Sequence, residues 1–89
     1  MIRMHVTVHG YVQAVGFRYS ARAEAQRLGI SGWVRNRSDG AVEAEIEGDP
    51  AAIDAILGWF DDGPPGAEVT SISTSDLPPT GERGFRIRG

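Results

Sequence analysis

Arg18 closes the stretch Gly10-Tyr11-Val12-Gln13-Ala14-Val15-Gly16-Phe17-Arg18. It falls in the first turn of a helical pattern, where the helix dipole disfavours a cation. The residues before it follow an alternating apolar run, so the stretch reads as a strand-to-helix turn. Gly10 and Gly16 admit backbone conformations closed to other residues. Consecutive amides with no strand partner then lead into a helix N-terminus, an arrangement that cradles anions. An arginine set unfavourably beside such a cradle is accounted for by a bound oxyanion, such as phosphate, that neutralises both. The plain alternative is a Gly-rich turn next to a solvated arginine, and spacing alone does not separate the two.

Composition narrows the remaining chemistry. There is no cysteine and no lysine, and all nine basic residues are arginine. That excludes disulfides, thiolate nucleophiles, cysteine zinc sites, Schiff bases and a P-loop lysine. The only histidines, His5 and His9, lie four apart on an expected strand, too far along it for an easy chelate. They read as solvated, and neither a metal nor a cofactor is expected. A net charge of −3 gives no general attraction to nucleic acid or anionic membrane. No apolar run could span a bilayer and no signal-peptide core opens the chain, so a cytoplasmic protein without membrane partners is expected. No surface run is strongly apolar, which points to a monomer.

The elements around the cradle follow from periodicity. Ile2, Met4, Val6 and Val8 alternate with Arg3, His5, Thr7 and His9, a half-buried strand over 2–9. Phe17, Ala21, Ala25 and Leu28 give a helix over 17–28, with Gly29 as its C-terminal stop. Residues 30–37 and 41–47 read as strands joined through the turn Ser38-Asp39-Gly40. In the second, Val42, Ala44 and Ile46 face inward and Glu43, Glu45 and Glu47 outward. Asp49 caps a second helix with Pro50 at its first position. Ile53, Ile56, Leu57 and Phe60 form its apolar stripe, Trp59 lies off it, partly exposed, and residues 61–66 end the helix in a loop. A serine- and threonine-rich edge strand over 67–75 and a short strand over 85–88 complete the chain.

The order β-α-β-β-α-β with an extra C-terminal strand, in one domain spanning residues 1–89, predicts an α+β fold. It is a two-layer α/β sandwich of ferredoxin-like type, with a mixed, mostly antiparallel sheet and two helices on one face. The first two strands then run parallel with the third between them, joined by a right-handed crossover. Their C-terminal ends share one sheet edge, two strand spacings or roughly 10 Å apart. That sets Asn36 across from the 10–18 turn, over a gap that fits a small phosphorylated compound. On its own, Asn36 also reads as an ordinary polar residue at a strand end. Arg35 and Arg37 read as a solvated face that raises the local positive potential.

At this point the chain resembles the acylphosphatase family. Gly10 to Arg18 is similar to the family signature G-x-V-Q-G-V-x-F-R. Gly32-Trp33-Val34-Arg35-Asn36-Arg37-Ser38-Asp39-Gly40-Ala41-Val42, with Gly48, resembles its second signature. The resemblance implies hydrolysis of small acyl phosphates to a carboxylate and inorganic phosphate, without metal or cofactor. It places the phosphate-binding arginine on Arg18 and the water-positioning asparagine on Asn36. The expected substrate-binding set is Tyr11, Val12, Gln13, Ala14, Val15, Gly16, Phe17 and Arg18, with Arg18 and Asn36 catalytic. Ala14 departs from the pattern, which usually has glycine there. If that position needs positive φ, alanine costs about 1 kcal/mol or more.

Two other readings compete. A ferredoxin-like RNA-binding module would stack bases on aromatic residues of its central strands. Here the outward face carries Glu43, Glu45 and Glu47, which repel a phosphate backbone. A non-catalytic anion-binding or regulatory module would keep the cradle without turnover, and Ala14 favours it.

Overall fold

The computed structural model describes all 89 residues, and each expected element forms. Strand β1 (Ile2–Tyr11) runs two residues beyond its expected end. The extension is held only by β4 (Glu68–Leu77), because the pairing of β1 with β3 (Val42–Gly48) stops at Val8 and Val42. A bulge between His9 and Gly10 marks the change. Gly10 takes φ 126°, and a Cβ there would lie 2.1 Å from the Glu68 carbonyl oxygen.

Helix α1 (Phe17–Leu28) returns the chain to β2 (Ser31–Asn36), and helix α2 (Pro50–Asp62) connects β3 to β4. The sheet order is β4-β1-β3-β2-β5, with β5 (Phe85–Arg88) parallel to β2 and the other pairings antiparallel. Since β1 and β2 both run against β3, they are parallel to each other. One core joins Val6, Val8, Val34, Ala44 and Ile46 of the sheet to Phe17, Ala21, Ala25, Ile53, Ile56 and Phe60 of the helices. The small residues Ala21 and Ala25 bring α1 close to the strands.

Two expectations need correction. Residues 61–62 belong to α2, which continues to Asp62 and stops at Gly63, whose N–H donates to the Trp59 carbonyl at 2.7 Å. Glu43, Glu45 and Glu47 do face away from the helices, but they are not free surface charges. Glu43 accepts from His5 and Arg35, each at 2.6 Å, and Glu45 pairs with Arg3. Arg3 and Glu47 are only 4% and 5% exposed. The cause is topological. The segment 78–84 leaves one edge strand, β4, and enters the other, β5, so it must cross the end of the sheet. There Arg3 donates to Glu47 at 3.0 Å, Thr80 at 3.2 Å and Glu82 at 2.9 Å. Glu47 also accepts from the Thr80 and Gly81 amides at 2.8 and 3.0 Å. These bonds hold its carboxyl down to about 2, the Thr80 amide contributing most. This network lies at the N-terminal ends of β1 and β2, opposite the cradle.

Candidate functional site

The loop 12–16 is pinned at both ends by apolar anchors. Val12 is fully buried, and Phe17 packs on Trp59 and Phe60 with ring centroids 5.3 and 5.9 Å apart. Between these anchors the backbone turns through positive φ at Ala14 (62°) and Gly16 (75°), and Ala14 is the single non-glycine residue in that region. Gly16 occupies the N-cap of α1 and supplies no side chain to cap it. The first intrahelical bond runs from the Ser20 N–H to the Gly16 carbonyl at 3.0 Å. The amides of residues 12–16 donate to no group of the chain. A row of free donors in a loop bent at two left-handed positions, continuing into a helix N-terminus, is a site for an anion.

Arg18 stands in the first turn of α1, half-buried, and pairs with no carboxylate. Arg3, Arg27, Arg35, Arg37 and Arg86 do, whereas Arg22, Arg83 and Arg88, like Arg18, do not; Arg18 is the unpaired arginine that lines a cleft together with Asn36. Its guanidinium carbon lies 6.0 Å from the centre of the Tyr19 ring. Asn36 ends β2 opposite Val42. Directly paired residues point to the same side of a sheet, and Val42 is wholly buried. Asn36 therefore projects on the helix side, at the C-terminal rim, while its neighbours Arg35 and Arg37 project on the open side.

Val12, Ala14, Gly16, Phe17, Arg18, Tyr19 and Asn36 line one cleft of about 190 Å³. It is smaller than the roughly 300–1,000 Å³ typical of sites that enclose a drug-sized ligand. Its volume admits a tetrahedral oxyanion. The cleft brings Asn36 together with five of the eight residues expected to bind substrate, Arg18 among them. The side chains of the other three lie elsewhere. Tyr11 is exposed on the β1–β4 ladder, Val15 packs against the core, and Gln13 turns toward the β2–β3 hairpin. Tyr19 is an addition. Its signal in the sequence is an aromatic residue directly after Arg18, off the apolar stripe of α1.

A polar groove of about 510 Å³, lined by Arg35, Asn36, Arg37, Ser38 and Glu43, adjoins the cleft at Asn36. Its guanidinium groups are occupied: Arg35 pairs with Glu43 at 2.6 Å and Arg37 with Asp39 at 2.9 Å. No group of three or more histidine, cysteine, aspartate or glutamate side chains is arranged to hold a metal ion. No helix is long and apolar enough to cross a membrane.

Comparison with known proteins points one way. The family model described as Acylphosphatase matches residues 4–87. A protein of Thermococcus kodakarensis named acylphosphatase is 49% identical over 88 residues, covering 99% of this chain and 97% of that one. One of Synechococcus sp. (strain CC9605), with the same name, is 51% identical over 81 residues, covering 91% of this chain and 98% of its own. The crystal structure of acylphosphatase from Bacillus subtilis superposes with a TM-score of 0.96 at 37% identity, with complete coverage of both chains.

Proposed function

The chain belongs to the acylphosphatase family, and from that premise we propose how its residues share the work of hydrolysing an acyl phosphate. The activity is cleavage of the carboxyl–phosphate bond of a small acyl phosphate, giving a carboxylate and inorganic phosphate. The observation that carries the assignment is the convergence, on one cleft, of a guanidinium without a carboxylate partner, a run of undonated amides and a side-chain amide.

Arg18 grips two phosphoryl oxygens as a planar fork. The amides of residues 12–16, which donate to no group of the chain, hold the other oxygens, and that of Tyr11, on the β1–β4 ladder, is left out of the set. Phosphoryl transfer spreads charge over the equatorial oxygens through a loose transition state, so positioned donors supply most of the catalysis. Asn36 holds a water through its amide and orients it in line with the scissile P–O bond. It is not a base. The water oxygen bonds to phosphorus, and the P–O bond to the acyl group breaks with its electron pair leaving on the carboxylate. The water's proton passes to a phosphoryl oxygen. A carboxylate leaving group has a pKa of about 4, so it departs without a general acid. The reading therefore gives little pH dependence near neutrality from any side chain.

The test is hydrolysis of benzoyl phosphate in excess chelator, wild type beside Arg18→Gln and Asn36→Ala. The expected result is chelator-insensitive turnover that each substitution lowers by about 10²-fold or more. Wild-type turnover in either variant overturns the assignment of that residue. Binding of inorganic phosphate without any turnover in the wild type favours the second reading, a non-catalytic anion-binding module. The feature in its favour is Ala14 at φ 62°.

A further inference from the structure

Gln13 sits between two residues that line the cleft, yet its own side chain leaves it. Its amide nitrogen donates to the Arg37 carbonyl at 2.7 Å and to the Ala41 carbonyl at 3.0 Å. Two carbonyl acceptors fix which end of the amide faces them, and both of its N–H groups are used. The two carbonyls belong to the tight turn that closes the β2–β3 hairpin. The Arg37 N–H donates to the Ala41 carbonyl at 2.8 Å, and the Ala41 N–H to Asp39 Oδ1 at 3.1 Å. Asn36 is the residue directly before that turn.

The two halves of the site come from strands that do not touch. β1 and β2 are separated by β3, and the loop 12–16 and the 37–41 turn both lie beyond the last ladder pairs of β3. No ladder bond spans them there. Gln13 makes the side-chain hydrogen bonds that join the loop to the hairpin, and no other residue of the loop does so. Accepting the roles given above to Arg18 and Asn36, we infer that Gln13 is a positioning residue. It sets the distance and angle between the phosphate cradle and Asn36, and so places the attacking water against phosphorus. The cradle itself keeps its amides and Arg18 without it.

This makes Gln13 a residue of kcat rather than of binding. A misplacement of about 1 Å between reacting groups costs on the order of 10²-fold. Gln13→Met removes both donors at similar volume. Its kcat on benzoyl phosphate falls about 10- to 100-fold, while KM and the inhibition constant of inorganic phosphate move less than about 3-fold. The decisive arm is the double variant. In an Asn36→Ala background, Gln13→Met causes no further loss, because the group it positions is gone. Full additivity of the two losses, or a phosphate affinity that weakens in step with kcat, overturns the proposal and makes Gln13 a support of the fold or the cradle.

A second substitution guards against poor folding of the first. Gln13→Glu keeps the shape and can donate only when protonated, and the facing carbonyls raise its pKa. The ratio of its kcat to that of the wild type therefore rises as pH falls toward 5, and a ratio that stays constant counts against the proposal. If Asn36→Ala alone keeps wild-type kcat, the parent assignment of Asn36 fails instead.

Discussion

Ala14→Gly tests the strain in the cradle directly. Ala14 holds φ 62°, a conformation that costs an L-residue with a Cβ about 1–2 kcal/mol. Glycine adopts it freely but adds freedom to the unfolded chain, worth about 0.4–1 kcal/mol in the opposite direction. The difference leaves the variant more stable by about 1 kcal/mol. For a chain of 89 residues this raises Tm by about 4–8 °C. The assay is thermal unfolding followed by circular dichroism, repeated in saturating inorganic phosphate. Ala14 also lines the cleft, so removing its methyl leaves room for phosphate to approach, and the ligand-induced rise in Tm is kept. A Tm equal to or below that of the wild type would refute the reasoning, since the strain at Ala14 would then not exceed the freedom that glycine adds to the unfolded chain.

Two further perturbations probe the scaffold. Glu47 has its carboxyl held at about 2, so the unfolded chain, with its value near 4.5, takes up the proton first as pH falls. Its stabilisation is complete above that ordinary value and is lost between it and about 2. Glu47→Gln removes this dependence, and a plot of Tm against pH becomes shallower in that window; an unchanged slope would contradict the network. Gly10→Ala sets a Cβ 2.1 Å from the Glu68 carbonyl at φ 126° and forces β1 away from β4. Its urea midpoint falls by an amount worth about 1–3 kcal/mol at constant slope, and a loss under about 0.5 kcal/mol would show that the edge gives way freely.

The parts of the fold that rest on local periodicity were legible. Val6 and Val8 of β1, and Val42, Ala44 and Ile46 of β3, alternate because that face packs on the helices, although Ile2 at the start of β1 stays exposed, and Ile53, Ile56 and Phe60 recur at helical spacing for the same reason. Asp61 and Asp62 carry no apolar signal, so the last turn of α2 reads as loop although Gly63 was there to stop it. The burial of Arg3 was illegible, since its partners lie 42 to 79 residues away and meet it only because 78–84 crosses the sheet end. That crossing depends on β5 joining the edge at β2, a pairing with no mark in the sequence. The same limit applies within the site. The main-chain part of the cradle follows from Gly10, Gly16 and the helix start. The reach of Gln13 to carbonyls 24 and 28 residues away does not, because backbone acceptors have no side-chain identity to recognise.

Several features of the site are local losses for the isolated chain. The amides of residues 12–16 go without protein partners, Ala14 sits at positive φ, and Arg18 occupies a helix turn whose dipole opposes it. Taken singly, each has an ordinary explanation in a solvated loop. They are not independent, because a dianion seated among them relieves two at once. It accepts from the open amides and supplies the counter-charge that Arg18 lacks. The positive φ at Ala14 is part of the turn that carries those amides. An apolar or cationic ligand would relieve none of this. On the proposed function, the unmet polar demand at the rim matches a negatively charged ligand, whereas Arg3, His5 and Arg35 on the other face are partnered by carboxylates. On the same proposal, a cleft of this size has room for the phosphoryl group and leaves the acyl group outside it.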